Sequence, residues 1–311
     1  MKYLSSILLV SFLSFLTLES NAQSDLLVQS EGLRSFWFNP ATIATKNKIS
    51  VNSNLGFQAI PYTFAARSLQ INAAYKCLDF GNSSNDPIAK GAAGLMFNQV
   101  VAGFSTIQTF LIPFNVQFNL NRSWLSIGAA AGYRGIYNDY WFPPTPTPDP
   151  SIPPNRSENF TMDLGINWFS ARHSLGFAVK NLVQSRVAYQ WYETQPTYYL
   201  NGSCILKASQ NISGKGLATF RTDLAFSSLF LMAYVNYAKL PVSLGFGARD
   251  FNSPVFGVYG RLKHFSLGYF MEIQRSKLSN EGMFTHELRI AFEIFDRDIL
   301  TERISPGFTN F

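Results

Sequence analysis

The sequence predicts an all-β fold, a transmembrane antiparallel β-barrel of about 14 strands of the outer-membrane type, and three observations carry that expectation. Apolar residues alternate with small or polar ones at period two along most of the chain. One side of the alternation is uncharged and rich in large aromatics, whereas the other carries Gly, Ser, Asn and isolated charges. Segments with this rhythm run to about ten residues, the length that a tilted membrane strand needs.

Composition narrows the field before any motif is considered. Charged residues make up 14% of the 311 residues, against ~25% in an ordinary soluble domain. Aromatics reach 15%, with 29 Phe, and the net charge is +6. Such a mixture excludes disorder, collagen and coiled coil. Cys77 and Cys204 are too few for a disulfide scaffold and have no neighbouring ligands for zinc. Apolar residues are dispersed instead of gathered into long runs, which disfavours a helical membrane bundle.

From the N-terminus, Met1-Lys2, an apolar stretch from Ile7 to Leu18 and Ser20-Asn21-Ala22 describe a signal peptide over 1–22, cleaved after Ala22. An uncleaved anchor helix is the weaker alternative, because the apolar stretch falls short of the ~20 residues that span a bilayer. Residues 23–47 form an N-terminal segment with the aromatic run Phe36-Trp37-Phe38 followed by Asn39-Pro40-Ala41. Three large rings do not stay in water when a greasy surface is available. The segment is expected either to plug the periplasmic mouth or to dock on its rim as a tail.

The barrel proper is expected over 48–295, in strands at 48–56, 63–76, 92–99, 106–119, 124–136, 159–169, 173–182, 197–207, 216–224, 229–237, 241–250, 255–262, 265–275 and 286–295. In one of them Phe160, Met162, Leu164, Ile166 and Trp168 alternate with Thr161, Asp163, Gly165 and Asn167. In another Phe265, Leu267, Tyr269, Met271 and Ile273 alternate with Ser266, Gly268, Phe270, Glu272 and Gln274. Arg134, Asp163, Lys180, Arg249, Arg261, Glu272, Arg289 and Glu293 all fall on the wet side. Lipid-facing charges cost about 2–4 kcal/mol at mid-bilayer while lumen positions are free to carry them. A sandwich would show many Lys and Glu on its solvent face instead. The uncharged stretch 91–121 is no membrane helix, because Asn98 and Gln99 interrupt it, Pro113 breaks it, and period two persists from Phe114 to Leu120.

An even strand number puts both ends on one side, the periplasmic one. Turns at 120–123, 170–172, 238–240 and 263–264 are then inner and short, and loops at 137–158, 183–196 and 276–285 outer and long. Two connections depart from this rule, the inner 77–91 being long and the outer 225–228 short. Residues 296–311 form a C-terminal tail. Phe295 is the better candidate than Phe311 for the aromatic that closes the last strand.

No catalytic constellation is present: His173, His264 and His286 lie far apart, and neither a phosphate loop nor a metal-ligand cluster appears. The expectation is a non-enzyme with no cofactor and no metal. Basic residues are spread over the turns and lumen, so no nucleic-acid partner is expected, and membrane lipids are. Turn residues Lys90, Arg122, Arg172, Lys239, Lys263 and His264 would sit at the periplasmic rim, while lumen charges of both signs would cross-link inside. Trp141-Phe142-Pro143-Pro144 runs on through Pro146 and Pro148 to Pro154, so seven of the 15 prolines fall within 141–154. Such a stretch is stiff and extended. It is either a preformed docking arm for an extracellular protein or, more simply, a protease-resistant cover over the mouth.

Several short pieces, taken in order, resemble a known family. They are Phe38-Asn39-Pro40-Ala41, Pro61-Tyr62-Thr63-Phe64, Gly94-Leu95-Met96-Phe97-Asn98 with Ala102-Gly103, Leu267-Gly268-Tyr269, Ser276-Lys277-Leu278 and His286-Glu287-Leu288. Together they are similar to the PorP/SprF family of outer-membrane proteins associated with type IX secretion and gliding. Where that family carries an acidic residue in the turn after Asn98, this chain has Gln99-Val100-Val101. The resemblance implies a non-enzymatic barrel that helps to secrete, anchor or present a cell-surface protein, with periplasmic or outer-membrane components of type IX secretion as partners. A solute channel is the alternative, and a soluble secreted β-sandwich a more distant one.

Overall fold

The computed structural model describes residues 35–45, 47–59, 66–80, 88–103, 105–120, 123–139, 156–183, 195–207, 211–223, 226–237, 240–274 and 283–295. A four-residue helix α1 (Ser35–Phe38) and a 3-10 turn (Pro40–Thr42) precede fourteen strands. These are β1 (Asn47–Ala59), β2 (Arg67–Phe80), β3 (Ala89–Ala102), β4 (Ser105–Asn119), β5 (Ser123–Asn138), β6 (Arg156–Ser170) and β7 (His173–Lys180). They continue as β8 (Thr197–Lys207), β9 (Ile212–Thr222), β10 (Ser227–Tyr237), β11 (Val242–Arg249), β12 (Ser253–Leu262), β13 (Phe265–Gln274) and β14 (Met283–Phe295). Each pairs antiparallel with its sequence neighbours, and β1 closes on β14 from Asn47↔Phe295 to Ala59↔Phe284. Closure leaves no unpaired sheet edge, the condition for strands to exist in hydrocarbon.

The alternation sorts the side chains as the pleat requires. On β1 Val51, Leu55 and Phe57 are exposed on the outside while Ser50, Asn52 and Asn54 are buried within. On β6 Phe160, Leu164, Ile166 and Trp168 face out, whereas Thr161, Asp163 and Asn167 face in. Every charge named above for the wet side sits on an inward position of its strand.

Local sequence explains the irregularities. Pro113 offers no N–H, so the β3–β4 ladder skips from Ala93↔Phe114 to Met96↔Leu111, while Pro113 still lies opposite Ala130 of β5. A register shift between Lys76 and Leu78 puts Cys77 in a bulge, exposed, and both cysteines are free.

Strands lengthen into several predicted connections. β2 and β3 reduce the long inner connection 77–91 to 81–88, and the short outer one at 225–228 becomes 223–226, closed by Phe226 N–H donating to Asp223 Oδ1 at 2.7 Å. Both are therefore local exceptions and not a misread strand pair. Gln99-Val100-Val101 continue β3 and are not a turn, which comes only at Gly103 with φ +60. Lys90 departs from expectation as well. It is a lumen residue, 1% exposed, with its ammonium over the Trp124 ring at 5.7 Å, so it does not sit at a turn.

Candidate functional site

The barrel's interior is filled, and its filling begins with the chain that enters it. From β1 the chain runs back along the lumen, from Ala44 beside the short-connection end to Trp37 at mid-barrel. Trp37, Phe38, Ile43 and Ala44 form a buried cluster with Ala74, Ala92, Met96, Leu111, Ala130, Ala178 and Tyr199. The Phe38 and Tyr199 rings stand 5.2 Å apart.

Small residues of three adjacent strands make room for this segment. Gly128 and Gly165 lie opposite each other on β5 and β6, and Gly176 pairs with Asn167 across β6 and β7. A Cβ on Gly128 would lie 2.6 Å from Ala41 N, one on Gly165 2.0 Å from Asn39 Oδ1, and one on Gly176 2.7 Å from Asn39 Nδ2. Here glycine is required by close backbone approach, and none of the three has a positive φ.

Polar groups then fasten the segment by its main chain. Asn39 Nδ2 donates to Ile166 O at 3.0 Å and Phe177 O at 3.4 Å, while Asn39 Oδ1 accepts the Ala41 N–H at 2.9 Å and caps the 3-10 turn. From β4, Asn115 Nδ2 donates to Ala41 O at 3.0 Å and Ile43 O at 2.8 Å, and Gln117 Nε2 donates to Ile43 O at 3.3 Å. Lys180 Nζ donates to Trp37 O at 3.1 Å and sits 4.3 Å from the centre of the Trp37 ring. Buried carbonyls are thereby satisfied by side chains, as an irregular segment inside a barrel demands.

The other half of the lumen is filled by the strands themselves. Leu217, Phe230, Met232, Tyr234, Val255 and Phe270 form a second buried cluster. Beside it Arg249 pairs with Glu272 at 3.3 Å, both essentially buried, and Glu293 accepts from Arg261 at 3.5 Å and Arg289 at 3.4 Å. Arg289 Nη2 also donates to Asn52 Oδ1 at 2.9 Å across the β1–β14 closure. Charges inside thus join neighbouring strands, the arrangement in which a desolvated charge is tolerated.

Of the residues singled out in the sequence, Trp37, Phe38, Asn39 and Pro40 converge in the lumen, and Phe36 belongs to α1. Trp141, Phe142, Pro143, Pro144, Pro146 and Pro148 lie outside the described residues, as do residues 1–34 and the tail 296–311. Arg172, Lys263 and His264 are exposed at the short-connection end. Gly128, Gly165, Gly176, Asn115 and Gln117 are the functional positions that sequence reasoning missed. Each was visible only as one more wet-side residue, and their convergence needs the register of four strands. Among the described residues no group of His, Cys, Asp or Glu is placed to hold a metal ion.

A family model described as type IX secretion system membrane protein PorP/SprF matches residues 32–292. No curated protein matches the sequence. Among solved structures, a Pseudomonas aeruginosa FadL homologue is 9% identical, covering 82% of this chain and 92% of that chain, with a TM-score of 0.47. The Pseudomonas putida toluene transporter TodX is 7% identical, covering 88% of this chain and 95% of that chain, with a TM-score of 0.44. No argument rests on likenesses of this grade.

Proposed function

Because the chain belongs to the PorP/SprF family of type IX secretion system membrane proteins, we propose that it is a non-enzymatic outer-membrane barrel. In this reading it assists the secretion, anchoring or presentation of a cell-surface protein such as an adhesin, and does not conduct solutes. The observation that supports it most is the packed lumen. One half is occupied by Trp37 to Ala44, and the other by the Phe230–Phe270 cluster with the Arg249–Glu272 pair. A channel needs a continuous wet path, whereas a barrel that serves as a rigid membrane fixture gains by being filled.

In this reading the signal peptide is removed after Ala22, and the short-connection end faces the periplasm, where secretion components meet it. The long-loop end faces outward, and the proline-rich stretch from Trp141 to Pro154 serves there as a docking arm for the secreted protein. Deleting the gene tests the role: cells should lose one or more surface proteins of the type IX route. Unchanged secretion and attachment of every such protein would end the proposal.

A further inference from the structure

At the long-loop end the lumen opens into a vestibule with about 800 Å³ of empty space. Its floor is aromatic, made by Trp37, Phe38 and Tyr199. Its walls carry Arg134, Lys180 and Arg221 against a single carboxylate, Asp163. That carboxylate is already engaged, with Lys180 Nζ at 4.0 Å and the Asn181 N–H donating to Oδ1 at 2.9 Å. Arg134 and Arg221 are therefore the positive excess.

One row across the wall has unused hydrogen-bonding capacity. Register puts Gln70, Asn98, Thr109 and Arg134 opposite one another in turn on β2, β3, β4 and β5. Arg134 Nη1 reaches Asn181 Oδ1 at 3.5 Å, while its Nε is buried without a hydrogen-bond partner. Asn98 is 9% exposed, and its Oδ1 is buried without a partner too. Strands stand ~4.8 Å apart, so Asn98 and Arg134, two strands removed, frame a gap of about 10 Å. A guanidinium donor on one side of this gap calls for an anion, and an acceptor on the other calls for an N–H.

We propose that the vestibule binds a carboxylate flanked by an amide N–H and an apolar side chain, the chemistry of a free peptide carboxyl end, entering from the long-loop side. The carboxylate takes the Arg134 fork, the amide N–H donates to Asn98 Oδ1, and the side chain rests on Trp37, Phe38 and Tyr199. Arg221, across the vestibule, adds attraction at longer range. The site does not depend on the anchoring role, since its geometry belongs to the barrel alone.

Calorimetric titration of the full-length mature protein, refolded in detergent, tests this with three probes: acetyl-Ala-Ala-Phe as the free acid, the same peptide as its C-terminal amide, and 3-phenylpropanoate. The free acid should bind at least tenfold more tightly than the amide, because a charge-assisted hydrogen bond to a guanidinium is lost. It should also exceed 3-phenylpropanoate about tenfold, for want of the N–H. Arg134→Gln should abolish the preference for acid over amide, and Asn98→Leu should weaken the peptide acid while leaving 3-phenylpropanoate unchanged. The comparison of acid with amide needs no variant, so a substitution that fails to fold does not obscure the answer. Equal affinity for acid and amide overturns the proposal. So does binding that appears only after residues 23–34 are deleted, which would mean that the chain itself fills the vestibule.

Discussion

Gly165 and Asn39 are 126 positions apart in sequence, yet a Cβ added to Gly165 would lie 2.0 Å from Asn39 Oδ1. Asn39 cannot retreat without giving up Ile166 O, Phe177 O and the Ala41 N–H. The glycine on β6 and the asparagine before β1 therefore define one seat, and occupation of the lumen depends on both.

Gly165→Val should expel the segment from its seat. Phe38 and Ile43 would lose their burial, roughly 3–6 kcal/mol in total at ~1.5–3 kcal/mol each. Limited chymotrypsin digestion of the refolded protein reads this directly, since cleavage after Trp37 or Phe38 should be slow in the parent and fast in the variant. Equal resistance would show that the seat is dispensable.

Asn39→Ala keeps the volume small but removes three hydrogen bonds. A loss of about 1–3 kcal/mol is expected, because the carbonyls of Ile166 and Phe177 retain each other as ladder neighbours while the turn loses its cap. Asn39→Asp should be worse, since a carboxylate would face both carbonyls without a donor. Urea denaturation of the detergent-refolded protein, followed by tryptophan emission, ranks the three.

Arg249→Met should cost about 3–5 kcal/mol, because it strands the Glu272 carboxylate at 0% exposure. Adding Glu272→Leu to that variant should recover most of the loss. Without recovery, the pair would have no specific role in joining β11 to β13 through the lumen.

Leu267 lies on the outside of β13, beside Ser266, which faces in. Leu267→Arg should destabilise the barrel in lipid vesicles by ~2–4 kcal/mol if that face meets hydrocarbon. A negligible change would mean that the outward face is wet.

The barrel was legible because lipid removes charge from one side of every strand, a bias strong enough to survive uncertainty about each strand's ends. Phe265 to Ile273 and Phe160 to Trp168 show it without help from any neighbour. The Phe36-Trp37-Phe38 run was legible as a group seeking shelter, but its seat was not. Gly128, Gly165 and Gly176 look like ordinary wet-side glycines until register sets them side by side. Lys90 was misplaced because a basic residue near a turn usually reaches solvent, whereas this one lies over Trp124. Asn115 and Gln117 read as alternation, and only the three-dimensional path of Ala41 to Ala44 reveals them as donors.

The sealed lumen is tested most directly by planar-bilayer recording of the refolded mature protein. A barrel filled by Trp37 to Ala44 on one side and by the Phe230–Phe270 cluster on the other passes no steady current after insertion. Stable ohmic steps from correctly folded, unmodified protein would contradict it.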